Sequence, residues 1–315
     1  MAMPPSVTTP FGAHSTASDV IAGVDLTGRR AVVTGATGGL GRETARALAA
    51  AGAEVTVTGR TPQAAAAVAQ EIAAETGNPR TRAGHLDLAD PTTVTAFAAA
   101  WTGPLHILVD NAGIMATPEQ RTPAGRELQF ATNHLGHFAL TVLLHDALAA
   151  AGDARVVVVS SVGHVNGPVR FDDPDFIAEP YDPWLAYAQS KTANILFAVE
   201  AARRWAADGI GVNALNPGRI WETGLSRHMY APPASFDPSG ASGVSEKTIA
   251  QGTATSVLLA SSPLVDGVTG KYFEDCQESG PFTPGVRRGV ADYALDPDNA
   301  RRLWDLSVQL TTGDW

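Results

Sequence analysis

Short runs of β-branched and apolar residues alternate along the chain with long alanine-rich segments. The short runs are typical of buried parallel strands and lie at 31–35, 54–59, 81–88, 106–110, 155–161, 211–216 and 270–275. The alanine-rich segments have helical periodicity and lie at 40–51, 62–76, 91–100, 126–150, 185–208 and 246–260. This order predicts an α/β fold with one doubly wound parallel sheet of about seven strands and helices on both faces.

Two segments interrupt this alternation. Residues 162–184 form a polar insertion after a strand, and residues 219–245 hold three prolines among serines and glycines, which is typical of a substrate flap. Long loops at the carboxyl ends of parallel strands are where such folds bind ligands. We expect a single domain over 27–275, an N-terminal extension over 1–26, and a C-terminal tail over 276–315 with a short helix at 297–310.

Composition argues against several classes of function. The formal net charge of -10 and the scattered basic residues are unfavourable for a nucleic-acid partner. The single cysteine, Cys276, allows no internal disulfide and no cysteine-based metal cluster. The sequence contains neither a recognisable signal peptide nor an apolar stretch of membrane-spanning length. We therefore expect a cytoplasmic protein with no metal and no membrane partner.

A glycine-rich turn joins the first predicted strand to the first predicted helix. Gly35 permits a tight turn, Gly39 lets the backbone approach a pyrophosphate, and Gly41 permits close packing of helix and strand. The free N–H groups at the start of the helix, near Leu40, would face the anion. This arrangement is typical of a Rossmann-type dinucleotide site. Because Gly38 is also present, both TGxxxGxG and TGxxGxxG fit the spacing.

The end of the second strand bears on the choice of cofactor. An acid there would bind the adenosine ribose and select NAD, but the sequence has Gly59 and then Arg60, whose guanidinium can pair with a 2′-phosphate. We therefore expect NADP(H), with NAD(H) as the alternative if Arg60 caps a helix or lies in solvent. Asp87 could accept a hydrogen bond from the adenine amino group or could serve as a loop or cap acid.

Tyr187 and Lys191 form a YxxxK pair on the predicted helix at 185–208. Residues four apart lie on one face of a helix, so the two side chains are neighbours. A lysine ammonium beside a tyrosine favours the phenolate and lowers a pKa that starts near ~10. The pair follows a strand that ends in Ser160 and Ser161, and Lys191 is one of only three lysines in the chain.

Several motifs in a fixed order point to a known family. DNAGIM at 110–115, NHLGHF at 133–138 and NPG at 216–218 accompany the glycine turn and the YxxxK pair. In this order they resemble the short-chain dehydrogenase/reductase (SDR) family over 27–275, and LVDNAGIM, TNHLGHFAL and WLAYAQSKTANILFA are similar to its retinol dehydrogenase and protochlorophyllide reductase-like branch. The resemblance favours TGxxxGxG, because extended epimerase-like members carry a large substrate domain after the tyrosine.

The resemblance implies a role for each residue of a catalytic set. Tyr187 would be the general acid in reduction and the base in oxidation, and Lys191 would hold the nicotinamide ribose and tune Tyr187. Ser161 would hydrogen-bond the substrate oxygen, with Ser160 as the competing assignment. Asn133 would anchor a water in a proton relay, or would be a helix-kink residue bonded to backbone, or both.

The glycine turn, the strand ends and the resemblance together imply an extended cofactor site. Its expected residues are Thr34, Gly35, Thr37, Gly38, Gly39, Leu40, Gly41, Arg60, Asp87, Leu88, Asn111, Ala112, Gly113, Tyr187, Lys191, Pro217, Gly218 and Ile220.

The insertion at 162–184 matches the longer loop of the retinol dehydrogenase-like branch. Its aromatic and histidine side chains are candidates for the wall of a substrate pocket, or they simply pin the loop to the surface: His164, Phe171, Phe176, Tyr181 and Trp184. The histidines of NHLGHF, His134 and His137, have no nearby carboxylates and are expected to pack in the core instead of binding a metal.

The loop after NPG departs from the family pattern, which has an aliphatic residue two positions on and then a threonine that binds the nicotinamide amide. Ile220 fits the first position, but Glu222 takes the threonine position and Thr223 follows one residue later. Either the loop carries a one-residue insertion or recognition of the amide is altered. Arg219 and Trp221 then become additional candidates for the pocket.

The complete Asn-Ser-Tyr-Lys set predicts an oxidoreductase that moves a hydride between NADP(H) and a carbonyl or alcohol on a small, hydrophobic substrate. A cyclase, dehydratase or isomerase without net redox is the alternative that Glu222 motivates. A cofactor-sensing binding protein is the third, for which a broken set would be expected. In many relatives the helices at 126–150 and 185–208 form dimer interfaces, so the resemblance allows a homo-oligomer.

Overall fold

The computed structural model describes residues 6–228 and 246–312. Within these residues, eight strands form one sheet in the order β3-β2-β1-β4-β5-β6-β7-β8. The strands are β1 (Arg30–Val33), β2 (Glu54–Gly59), β3 (Arg82–His85), β4 (Ile107–Asp110), β5 (Ala154–Val159), β6 (Ile210–Asn216), β7 (Tyr272–Glu274) and β8 (Gln277–Glu278). Neighbours are parallel except for the antiparallel pair of β7 and β8. The predicted α/β fold is confirmed, and the two-residue β8 is an addition to it.

Helices flank the sheet on both faces, and most of them fall where the periodicity placed them. They are α1 (Ala17–Ile21), α2 (Gly39–Ala50), α3 (Pro62–Thr76), α4 (Pro91–Ala100), α5 (Leu128–Phe130), α6 (Gly136–Leu143), α7 (His145–Ala149), α8 (Pro183–Arg204), α9 (Ile249–Ser261), α10 (Asp292–Leu295) and α11 (Pro297–Thr311). Short helices such as α1 and α10 carry no repeating apolar pattern, which is why periodicity alone did not predict them.

The continuous helix predicted at 126–150 is wrong in detail, because the structure divides it into α5, a π-helical turn at Ala131–Leu135, α6 and α7. Asn133 lies in the π turn. Its Oδ1 accepts a hydrogen bond from the Ile114 N–H at 2.9 Å, and its Nδ2 donates to the Ile114 carbonyl at 2.9 Å. A side chain tied to the backbone of another segment holds the helix out of regular α geometry at that point.

The sheet is buried on both faces because successive strand residues point in opposite directions. Val156 and Val158 of β5 join the core layer that α8 covers, whereas Val157 and Val159 join the layer that α2 and α9 cover. With both faces closed, the carboxyl ends of the strands are where loops from several elements can meet around a ligand.

The described part of the N-terminal segment packs on the same sheet. Val20 of α1 is buried in the core layer beneath α2 and α9. Farther along the edge, the Val7 N–H donates to Glu278 Oε2 at 2.8 Å, and Thr9 Oγ1 donates to the Cys276 carbonyl at 2.8 Å. These bonds hold residues 7–9 beside β8.

The C-terminal helix α11 lies across α6 and α8. The ring of Trp304 is 5.1 Å from that of Phe138 and 6.1 Å from that of Phe197, measured between centroids. The Arg204 guanidinium lies 4.5 Å from the centroid of the Trp304 ring on its outer side. The aromatic face that α6 and α8 share is therefore covered by the chain's own last helix.

Across residues 6–228 and 246–312, no helix is both long and apolar enough to pass through a lipid bilayer.

Candidate active site

The glycine turn after β1 owes its shape to three glycines. Gly35 and Gly39 have left-handed backbones, with φ of 61° and 54°. A Cβ on Gly41 would lie 2.5 Å from Asn111 Nδ2 and 2.6 Å from the Gly35 carbonyl oxygen, so α2 can approach the strand this closely only with glycine there. Gly38 has an extended backbone, and no atom lies within 4 Å of a Cβ placed there. The positions that require glycine, Gly35, Gly39 and Gly41, are therefore those of the TGxxxGxG spacing.

A cleft of about 1040 Å³ opens at the carboxyl ends of the strands. All the expected cofactor-binding residues line it: Thr34, Gly35, Thr37, Gly38, Gly39, Leu40, Gly41, Arg60, Asp87, Leu88, Asn111, Ala112, Gly113, Tyr187, Lys191, Pro217, Gly218 and Ile220. The turns after β1 and β4 are joined by Thr34, whose Oγ1 accepts hydrogen bonds from the Asn111 and Ala112 N–H groups at 2.8 and 2.9 Å. The structure therefore brings together residues that are 186 positions apart in the sequence, from Thr34 to Ile220.

Tyr187, Lys191 and Ser161 meet near the middle of this cleft. The Lys191 ammonium lies 5.8 Å from the centroid of the Tyr187 ring and donates to the Val159 carbonyl at 3.0 Å. The Ser161 side chain lies close enough to Tyr187 to lower the pKa of the phenol, and its Oγ accepts a hydrogen bond from the Gly163 N–H at 3.0 Å. Ser160 Oγ instead donates to the Lys191 carbonyl at 2.7 Å, so the geometry favours Ser161 over Ser160 as the serine that faces the tyrosine.

The ionisation of this pair differs from the expectation that Lys191 lowers the pKa of Tyr187. Burial raises the pKa of Tyr187 to about 12, although its hydrogen bond with Ser161 opposes the shift. Burial also lowers the pKa of Lys191 to about 8. Desolvation disfavours the charged form of each group, and in the protein alone it outweighs their mutual attraction. Tyr187 is accordingly held as a neutral phenol, which is the form that can donate a proton.

Asn133 lies behind the cleft and does not line it. Besides its two bonds to Ile114, its Nδ2 donates to Ser190 Oγ at 3.0 Å, and Ser190 Oγ donates to the Tyr187 carbonyl at 2.8 Å. The geometry therefore supports the role of Asn133 as a helix-kink residue that is bonded to backbone. Asn133 connects the segment after β4 with the helix that carries the tyrosine.

The two histidines of NHLGHF are buried and neutral. Desolvation lowers the pKa of both His134 and His137 to about 3. His134 Nε2 bonds Ser307 Oγ of α11 at 2.7 Å, and His137 Nε2 bonds Thr34 Oγ1 at 2.8 Å behind the glycine turn. They pack in the core as expected, and the described ranges contain no group of three or more metal-binding side chains.

Two of the four residues expected in the substrate pocket do not line the cleft. His164 is buried, with Nδ1 bonded to the Ser161 carbonyl at 2.7 Å and Nε2 accepting from the Ala291 N–H at 3.2 Å. The hydroxyl of Tyr181 donates to the Thr117 carbonyl at 3.0 Å. Both side chains hold the 162–184 insertion in place, because their polar atoms already have partners in the protein.

The other two expected residues, Trp184 and Trp221, do line the cleft. The ring of Trp184 stands edge-on to that of Tyr187, with 6.5 Å between centroids. The further aromatic candidates of the insertion, Phe171 and Phe176, lie outside the cleft, beneath the guanidiniums of Arg302 and Arg170. Of the insertion's aromatic residues, Trp184 thus adds apolar surface beside the tyrosine.

The structure of the loop at 219–223 favours a one-residue insertion over altered recognition of the nicotinamide amide. Glu222 is exposed and outside the cleft, whereas Thr223 lines it. Thr223 Cγ2 would be 3.3 Å from a Cβ on Gly39, so Thr223 lies against the glycine turn. Ile220 packs over Gly252 of α9. The flap predicted at 219–245 is described only as far as 228, and its remainder lies outside the described residues.

Arg287 is a cleft residue that the sequence reasoning missed. It belongs to the C-terminal tail, where we predicted no site residue, and no motif surrounds it. A second missed residue is Lys247, which lies outside the cleft, is buried and forms an ion pair with Asp275. A Cβ on Gly218 would be 2.9 Å from Lys247 Cδ, so the lysine stem supports the NPG turn from behind. Lysine is rare in this arginine-rich chain, and this rarity is the signal in the sequence that could have identified Lys247.

Asp110 ends β4 directly behind the Asn111 turn. Its side chain is fully buried, with Oδ2 accepting from Thr141 Oγ1 at 2.9 Å and Oδ1 without a hydrogen-bond partner in the described part of the chain. Burial raises the pKa of Asp110 to about 8, and the hydrogen bond from Thr141 only partly opposes this. The folded protein therefore favours the neutral acid at this position.

We expect this acid to make the protein less stable as pH rises from about 4 to about 8. The folded pKa lies above the unfolded value of 3.8, so in this window the native chain holds a proton that the unfolded chain releases. Asp110→Asn has the same shape and is always neutral, so it should remove a dependence of at most ~1.4 kcal/mol per pH unit.

Urea unfolding of both proteins across this pH range measures the difference. Asp146→Asn is the control because the Asp146 side chain is fully exposed. Parallel stability–pH curves for wild type and Asp110→Asn would contradict the assignment.

Comparison with known proteins places these observations among relatives. The sequence profile of the short chain dehydrogenase family matches residues 29–232. A protein of Streptomyces antibioticus described as a probable oxidoreductase is 56% identical over 299 residues, which cover 90% of this chain and 97% of the relative. Human retinol dehydrogenase 14 is 39% identical over 298 residues, covering 89% of this chain and 85% of the relative.

Solved structures show the same architecture. An uncharacterised protein from Mycobacterium paratuberculosis superposes with a TM-score of 0.74 at 34% identity, covering 96% of this chain and 98% of that one. Gluconate 5-dehydrogenase from Burkholderia cenocepacia, solved with NADP and tartrate, superposes with a TM-score of 0.64 at 26% identity, covering 79% and 94%.

Proposed function

This chain belongs to the short-chain dehydrogenase family, and we propose that it transfers a hydride between NADP(H) and the carbonyl or alcohol group of a small molecule, with Tyr187 as the proton donor or acceptor. The observation that carries the proposal is the meeting of Tyr187, Lys191 and Ser161 inside the cleft that the glycine turn also lines. The glycine turn that would bind the dinucleotide and the tyrosine that would donate the proton therefore line the same cavity.

The residues present fit a nicotinamide dinucleotide. The N-terminus of α2 opens onto the cleft at Gly39, where backbone N–H groups and the helix dipole favour a pyrophosphate. Gly39 leaves this approach free of a side chain, and Gly41 lets the start of α2 pack against the turn. When bound, the cofactor supplies or accepts the hydride. Thr223, beside the same turn, is placed to contribute a polar side chain to cofactor binding.

The protein's own side chains handle the proton. In reduction, the Tyr187 phenol gives its proton to the substrate oxygen, and in oxidation the tyrosinate takes it back. Ser161 Oγ orients the same oxygen and stabilises the negative charge that develops on it. The Lys191 ammonium stabilises the tyrosinate left after proton donation, because the attraction between opposite charges is strong in a site that excludes water.

NADP(H) is supported over NAD(H) by the end of β2. A Cβ on Gly59 would lie 2.5 Å from Thr37 Cγ2, so an acidic side chain could enter here only by displacing Thr37. The next residue, Arg60, lines the cleft and is exposed, so its guanidinium is free to swing onto a 2′-phosphate.

We expect Arg60→Ser to raise KM for NADPH by about tenfold to a hundredfold, since a hydrogen bond to a charged group contributes roughly 1.5–3 kcal/mol. KM for NADH should change little. Arg82→Ser is the matched control, because Arg82 lies outside the cleft on the neighbouring strand. Steady-state kinetics with both cofactors measure the effect, and an equal rise for NADH would contradict the assigned contact.

The proposed activity is tested by incubating the purified chain with NADPH and a panel of aldehydes and ketones. Loss of NADPH absorbance should match alcohol formation mole for mole. A cyclase, dehydratase or isomerase would form product with no change in cofactor absorbance, and a cofactor sensor would bind NADPH without turning over any panel member. The exposed position of Glu222 removes the observation that motivated the first of these rivals.

A further inference from the structure

The lining of the cleft is rich in positive charge. Arg219, Arg227 and Arg287 line it together with Lys191. The described lining of the whole cleft includes one carboxylate, Asp87, which follows β3 near the edge of the sheet. This imbalance is unexpected in a chain whose formal net charge is -10, because random placement would bring more acids than bases to any surface.

Arg287 is held where it can reach a bound substrate. Its Nη1 donates to Asn166 Oδ1 at 3.2 Å, and Asn166 ends the short helical segment Val162–Asn166, whose N-cap is Ser161. Gly163 of that segment packs so closely on Tyr187 that a Cβ there would be 2.8 Å from the ring. Asn166 and Gly163 belong to the same short segment. The hydrogen bond to Asn166 therefore holds the Arg287 guanidinium near the segment that packs on Tyr187.

Arg287 has a hydrogen-bond donor that is not used within the described ranges. Its Nε is buried and has no hydrogen-bond partner in the described ranges. Burial and the nearby positive charge of Arg219 lower the pKa of Arg287, so the two guanidiniums oppose each other in the protein alone. An anion between them would remove that repulsion and satisfy the buried N–H, and a planar carboxylate matches the fork of an arginine.

The cofactor pyrophosphate is a poorer candidate for this anion. The pyrophosphate site lies at the turn after β1, whereas Ser161 and Asn166 follow β5. β4 lies between these strands in the sheet, so the two turns are two strand spacings apart, roughly 10 Å. Trp184 and Trp221 add apolar surface to the cleft.

We propose that the substrate is an amphipathic carboxylate: a keto acid or hydroxy acid whose apolar body lies against Trp184 and Trp221 and whose carboxylate is bound by Arg287 in the field of Arg219. This inference deepens the proposed function and rests on it for the reacting carbonyl, but the anion site can be tested without turnover. It also replaces the expectation of a purely hydrophobic substrate with a molecule that is charged at one end.

The test is binding of matched acids and methyl esters to the NADPH-loaded protein. A panel of aromatic and aliphatic pairs, headed by 4-phenylbutanoate and its methyl ester, is titrated while tryptophan fluorescence is followed. Wild type should bind acids more tightly than their esters, and Arg287→Gln should weaken acid binding by roughly 10- to 100-fold while leaving ester binding unchanged. Arg301→Gln, on the outer surface of α11, is the matched control and should behave as wild type.

Each outcome decides between the possibilities. No preference for acids across the panel, or the same preference in Arg287→Gln, overturns the anion site. A loss of NADPH affinity in Arg287→Gln with the acid preference intact assigns the arginine to the cofactor and also overturns it. Acid-selective binding with no NADPH oxidation by the corresponding keto acids would retain the anion site and reject the proposed function, so the two failures are distinguishable.

Discussion

Tyr187→Phe should lower kcat by at least about a hundredfold while leaving the affinity for NADPH within a few-fold of wild type, because general acid catalysis contributes roughly 10²–10⁴ in rate. The phenylalanine ring fills the same buried space, so the variant keeps the packing of Trp184 and Ser161 around position 187. Only the hydroxyl group, the proton donor beside Ser161, is lost.

Tyr181→Phe is the matched control. Tyr181 is close in sequence, but its side chain lies outside the cleft, and its hydroxyl donates to the Thr117 carbonyl. NADPH binding by fluorescence and turnover with one active carbonyl separate the two effects. Turnover of Tyr187→Phe at the wild-type rate would end the assignment of Tyr187 as proton donor, and an equal loss in both variants would point to disruption of the 162–184 insertion instead.

Gly41→Ala should both destabilise the protein and impair use of the cofactor. The added methyl would meet Asn111 Nδ2 at 2.5 Å and the Gly35 carbonyl at 2.6 Å, so the start of α2 must move by about 1 Å to restore contacts near 3.4 Å. Overpacking of this kind costs about 1–3 kcal/mol of unfolding free energy. A displacement of that size in a substrate-positioning element can lower kcat/KM by roughly a hundredfold.

Gly38→Ala tests the same turn without the clash, since its backbone is extended and nothing lies within 4 Å of the new methyl. Urea unfolding should show Gly38→Ala close to wild type and Gly41→Ala less stable. Equal stabilities would mean that the packing at Gly41 is looser than the structure shows, and the TGxxxGxG reading would lose its physical basis.

The sheet and the residues of the glycine turn that line the cleft were predictable because they obey short-range rules. A buried parallel strand needs a run of β-branched residues, and a phosphate turn needs glycine wherever the backbone is left-handed or closely approached. The ambiguity at Gly38 shows the limit of such rules. Spacing alone cannot say which glycine is required, and only the contact of Gly41 with Gly35 and Asn111 decides it.

The parts that sequence reasoning missed depend on contacts between distant segments. Asn133 was expected either to anchor a water or to kink a helix by bonding backbone, but nothing near it in the sequence identifies Ile114 as its partner. His164 was a candidate for the pocket wall, but its ring is turned towards Ala291 in the tail. Arg287 enters the cleft from that same tail. The pocket was predicted only in part, because its wall is assembled from segments that are far apart in the sequence.

Trp304 gives the last helix a further significance. The resemblance allowed a homo-oligomer in which the helices at 126–150 and 185–208 meet a second copy, but Trp304 and Leu303 of α11 pack on the face that α6 and α8 share. This face is therefore occupied by a helix of the same chain. Another copy could pair through this face only after α11 had left it, and it would first have to replace the aromatic contacts of Trp304.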